Sequence, residues 1–194
     1  MLLSEKLTYL VIKQNQFQKG FGQIVAWGTL SLVLISALVV VLRYGFNSGS
    51  IAMQESIMYN HAILFMLGIA YTYEQDKHVR VDVFYSLFDE RKKAWVNFLG
   101  TLLLALPVMS FIIWSGWDYV LTSWQIHEGS GEAGGLAYLY MLKTLIIIMA
   151  GLVILQSLSI LIQSAITLFA GDATHPAPTI PSDSDHNPET EGKL

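Results

Sequence analysis

No cysteine occurs in the chain, so a disulfide, a thiolate metal site and a cysteine nucleophile are all excluded, and redox chemistry gives no hint of compartment. Charge is scarce: 13% of residues against about 25% in an average soluble domain. Proline is scarcer still, and of five only Pro107 precedes residue 170. What fills the space is apolar, at 53% of the chain, gathered in near-continuous runs around 21–42, 52–73, 94–117 and 136–169. Each run reaches or passes the roughly 18 residues that cross a bilayer as a helix. The expected fold is therefore an all-α membrane protein with four transmembrane helices. The second run is the weakest, because Asn60 and His61 interrupt it.

Three segments follow. Residues 1–19 carry Glu5, Lys6, Lys13 and Lys19 and no small-residue cleavage site, unlike a removed signal. Their Leu3, Leu7, Leu10 and Phe17 fall near one face, as in an interfacial amphipathic helix. Residues 20–170 form the membrane domain. Residues 171–194 turn abruptly to GDATHPAPTIPSDSDHNPETEGKL and read as a disordered acidic tail.

Lys and Arg set the orientation, because short loops rich in them stay cytoplasmic. Lys6, Lys13 and Lys19 precede the first run, and Lys77, Arg80, Arg91, Lys92 and Lys93 lie between the second and third. The connections 43–55 and 118–135 hold only Arg43. Both termini and the central loop are expected on the cytoplasmic side. Trp114, Trp117, Tyr119 and Trp124 suit the outer interface, and Pro107 predicts a kink.

A few positions could carry more than topology. Arg43 closes the first run and Glu55 opens the second, close enough for a clasp with each other or a partner, or for two snorkelling side chains. Lys143 lies about two turns into the fourth run; it reaches the interface or meets Glu55 or Asp118. In HVRVDVF, His78 and Asp82 share a helical face, or His78, Arg80 and Asp82 share one side of an extended segment. No nucleophile or second base accompanies them, so the chain is not read as an enzyme. A membrane haem needs two axial ligands at similar depth, whereas His61 is the one histidine inside a run. The glycine-rich HEGSGEAGG, from His127, lacks the lysine and hydroxyl pattern of a phosphate cradle. No catalytic group, cofactor, metal or nucleic acid is expected. There is also no repeated pair of interrupted helices, the usual pointer to a transporter's substrate site.

Arg43-Tyr44, Gln54-Glu55, HAILFMLGIAYTYEQDKHVRVDVFY at 61–85 and SGEAGGLAYLYMLK at 130–143, in this order, resemble the small, Q-type membrane subunit of tripartite ATP-independent periplasmic (TRAP) transporters. The likeness covers about residues 20–165. It implies an uptake system in the bacterial inner membrane, in which a periplasmic substrate-binding protein captures an organic acid such as a carboxylate. A large membrane subunit then carries it inward on a sodium gradient. The small subunit is implied to brace the large one, embedded in lipid, and to help shape the transient docking surface for the binding protein. Arg43, Glu55, His78, Arg80, Asp82 and Lys143 are then expected to serve assembly rather than chemistry. The rival reading is a haem- or quinone-associated anchor subunit of a respiratory complex.

Overall fold

The computed structural model describes residues 2–75 and 85–169. His78, Arg80 and Asp82, and the tail from 171 onward, lie outside the described residues. Among those residues the chain is all helix and loop: α1 (Leu2–Gly45), α2 (Ile51–Glu74), α3 (Glu90–Gly100), a π-helical turn (Thr101–Ala105), α4 (Leu106–Gln125) and α5 (Leu139–Phe169).

The leader is not a separate element. α1 runs 44 residues without interruption, about 66 Å at 1.5 Å per residue, straight through the expected boundary at residue 20. Neither a proline nor a capping side chain stands there, and Gly20 and Gly22 alone weaken a helix without ending it. The face it turns inward is also not the leucine face. Val11, Gln18 and Gly22 are buried, at coiled-coil-like spacing, while Leu10 and Phe17 remain more than half exposed. Polar contacts fix this seam on α5: Gln18 Nε2 donates to the Leu152 carbonyl at 3.0 Å, and Ser159 Oγ and Gln156 Nε2 both donate to Asn15 Oδ1, at 2.9 and 3.3 Å. Interhelical hydrogen bonds of this kind are worth about 0.6 kcal/mol each in a membrane, up to about 1.7.

α5 is the organising element. It packs against α1, α2, α3 and α4, whereas α1 has its longest contact with α2, and α4 with α5. Glycines permit the close α1–α2 approach. A Cβ on Gly22 would fall on the Tyr71 ring base, and one on Gly28 would stand 2.9 Å from Leu64 Cδ2. Asn60, polar within an apolar helix, is satisfied there by donating to Ser31 Oγ at 2.6 Å. Gly22→Ala is accordingly expected to destabilise the protein by about 1–3 kcal/mol, because the overlap outweighs the roughly 1 kcal/mol gain in helix propensity. Thermal unfolding in mild detergent measures it; an unchanged or raised midpoint would show that α1 and α2 separate freely.

Among the described residues three helices are long and apolar enough to cross a membrane: Lys6–Gly45 within α1, the continuous Glu90–Gln125, and α5. α2, with 24 residues, is diluted by Glu55, Asn60 and His61 and is not among them. Pro107 leaves a more specific mark than a simple kink. The turn before it widens to π geometry, and the Leu106 N–H bonds back to the Thr101 carbonyl, five residues away. A wider turn accommodates a residue that has no N–H to give.

Candidate functional site

The loop between α4 and α5 is the most tightly specified irregular part of the described chain. α4 ends in a Schellman motif: Glu128 N–H bonds to the Ser123 carbonyl at 3.0 Å and His127 N–H to the Trp124 carbonyl at 3.3 Å. His127 takes the left-handed conformation that this ending requires, with φ of 49°. A second reversal follows. Gly135 N–H bonds to the Glu132 carbonyl at 3.0 Å, and Gly134 sits third in that turn at φ 83°, the type II position that favours glycine. Ser130 N–H closes the loop on the Leu136 carbonyl at 2.8 Å.

Two charged side chains hold this loop to the helices. Glu55, one turn into α2, accepts the Ser130 hydroxyl on Oε1 and the Leu136 N–H on Oε2, the latter at 2.6 Å. Gly135 lies so close that an added Cβ would stand 2.8 Å from Glu55 Oε1 and collide with Ser130. On the α5 side, Lys143 Nζ meets Glu128 Oε2 at 2.5 Å and sits 4.0 Å from the centre of the Tyr119 ring. Trp124 Nε1 donates to Thr144 Oγ1 at 2.9 Å, and its ring packs edge-on to Tyr140 at 4.6 Å. The loop is thus tied to α2, α4 and α5 at once.

Of the residues singled out from the sequence, Glu55 and Lys143 therefore converge on one loop, but with partners other than those expected. Lys143 pairs with Glu128, not with Glu55 or Asp118. Glu55 serves the loop rather than Arg43, which is exposed and makes no ion pair with a described residue. His61 is exposed and lies against Phe65 of its own helix, ring centres 4.4 Å apart. Ser130, Glu128 and Tyr119 were missed. Glycine density in SGEAGG permits tight turns with positive φ, but no spacing rule names the helix that such a loop will touch. Among the described residues no group of three or more His, Asp or Glu could hold a metal ion.

The Lys143 ammonium holds the Glu128 carboxyl below the usual carboxylate value of 4.5. A lowered acidic pKa means that the charged pair contributes stability at neutral pH, and that this is lost as pH falls through the lowered value. The loop is thus expected to stay closed from pH 7 to below 4.5 and to loosen in stronger acid. Tryptophan fluorescence of wild type and Glu128→Gln, compared across that range, tests it. A transition present in wild type, absent in the variant and centred above 4.5 would contradict the assignment.

A family model, tripartite ATP-independent periplasmic transporters, DctQ component, matches residues 32–167. The chain belongs to this family. The match runs from the middle of α1 to the end of α5 and so contains the whole DctQ loop with its ties to Glu55 and Lys143. No curated protein and no solved structure matches the chain. A DctQ component is a membrane part of a transporter, and the family is not an enzyme family.

Proposed function

We propose that the chain is the scaffold subunit of a sodium-driven TRAP transporter for organic acids, carboxylates among them, in the bacterial inner membrane. It braces the large transport subunit and contributes, through the α4–α5 loop, to the surface on which the periplasmic binding protein docks. The observation that carries this reading is the loop, held to α2 by Glu55, to α5 by Lys143 and to α4 by the Schellman ending. A surface held in one conformation loses little entropy when a partner lands on it. In the proposed topology α2 is the fourth span, with Glu55 excused from the hydrocarbon by its bonds to the loop, and both termini are cytoplasmic by the distribution of Lys and Arg. Apolar side chains exposed along α1 and α4, among them Trp27, Leu34 and Phe111, provide area for lipid and for the large subunit.

A tagged chain recovered from its native membrane in mild detergent is expected to bring a much larger polytopic protein with it. Liposomes holding both subunits, supplied with the binding protein, are expected to take up an organic acid only when a sodium gradient is imposed. Uptake by the small chain alone, or recovery with redox subunits and a haem absorption band, would overturn the proposal in favour of a self-sufficient carrier or a respiratory anchor.

A further inference from the structure

A groove of 490 Å³ runs along the junction of α4 and α5, lined by Ser110, Ile113, Trp114, Trp117, Asp118 and Ile154. That volume falls within the range of about 300–1,000 Å³ typical of small-molecule sites. Its chemistry is graded along the helix axis. Asp118 and Trp117 stand at one end, and Ser110 and Ile154 flank an apolar floor about 12 Å further along, eight residues at 1.5 Å each. Asp118 precedes Tyr119, whose ring receives Lys143, so the charged end lies level with Lys143 and Glu128. Those groups neutralise each other: Lys143 is paired with Glu128. Asp118 is exposed and has no ion pair or hydrogen bond with any described residue, and Trp114 and Trp117 beside it are 76% and 52% exposed.

A carboxylate at the polar rim of an apolar groove, flanked by indole rings, selects a cation that carries an apolar tail. The carboxylate attracts the charge, the ring faces add cation–π attraction, and the floor takes hydrocarbon. A primary ammonium adds hydrogen bonds to the carboxylate, which a quaternary ammonium cannot form. We propose that this groove binds a phospholipid with a primary ammonium headgroup, phosphatidylethanolamine, its ammonium on Asp118 and an acyl chain over Ile113 and Ile154. An anionic headgroup without an ammonium is repelled at the same place. The inference rests on the membrane embedding of the family and is independent of the scaffold reading and of the orientation.

Native mass spectrometry of the full chain, given phosphatidylethanolamine or phosphatidylglycerol of identical acyl chains, tests it. Wild type is expected to retain the ethanolamine lipid up to about fivefold better, the range of an exposed ion pair. Asp118→Asn is expected to bring the ratio close to one, and Ile154→Trp, which fills the floor, to lower retention of both lipids. Circular dichroism and size exclusion identify any variant that fails to fold, and the wild-type ratio stands without either variant. Equal retention of the two lipids by wild type, or an unchanged ratio in folded Asp118→Asn, overturns the proposal. So does a groove that protein occupies instead: no lipid preference in wild type, with Asp118→Asn and Ile154→Trp reducing recovery of the large subunit.

Discussion

Glu55→Ala is expected to open the loop between α4 and α5, and endoproteinase Glu-C should then cut after Glu128 and Glu132 about tenfold faster or more, since cleavage tracks the population of the open form. The reason lies in what the carboxylate satisfies. One oxygen takes the Ser130 hydroxyl and the other the Leu136 N–H, so a single truncation removes both of the loop's ties to α2. The Schellman ending and the type II turn remain, so the loop keeps its local reversals while losing its position. Glu55→Gln keeps an acceptor but no charge and should fall between the two. Gly135→Val reaches the same outcome from the loop side, because its Cβ occupies the place of Ser130. If the docking role holds, apparent affinity for the binding protein drops in proportion to the fraction of closed loop, about tenfold when a tenth remains closed. Cleavage at the wild-type rate in both Glu55→Ala and Gly135→Val would show that α2 does not hold the loop.

Reversing Lys143 should be the second most damaging change, and it should be partly curable. Lys143→Glu puts a carboxylate against Glu128 and removes the cation from the Tyr119 ring; an apparent melting temperature lower by roughly 5 °C is expected. Glu128→Lys alone sets two ammonium groups together and should act in the same direction, more weakly, because its side chain is 29% exposed against 13% for Lys143 and water screens it better. The double variant restores opposite charges across the loop and should regain at least half of the lost stability, though not the ring contact. Additive losses in the double variant would mean that the two side chains act independently.

Much of this protein was legible before any coordinates. Long apolar runs separated by charge can be satisfied only as helices in a bilayer, since hydrocarbon offers no partner to a free N–H or carbonyl. Four ordered motifs then pointed to the family that the match over residues 32–167 shows. Glu55 and Lys143 also stood out, because a charge inside an apolar run demands a partner. Harder to read were the helix ends. The leader looked amphipathic on its own, yet α1 continues through Gly20 and Gly22, because nothing there offers the backbone a better hydrogen bond than the next helical turn.

Composition and charge distribution thus settled that the chain is helical, apolar and membrane-embedded, since these depend on local sums that any arrangement of the helices must respect. Partner choice was settled in three dimensions. Lys143 meets Glu128, fifteen residues away, because the Schellman ending of α4 turns the chain back toward α5. Glu55 meets Ser130, seventy-five residues away, because α2 packs against α5 and brings its first turn beside the glycine-rich loop. Side chains reach only a few ångströms, so a contact depends on which helices lie side by side, and in a bilayer that follows from how their surfaces pack, as where Gly22 and Gly28 admit Tyr71 and Leu64 between α1 and α2.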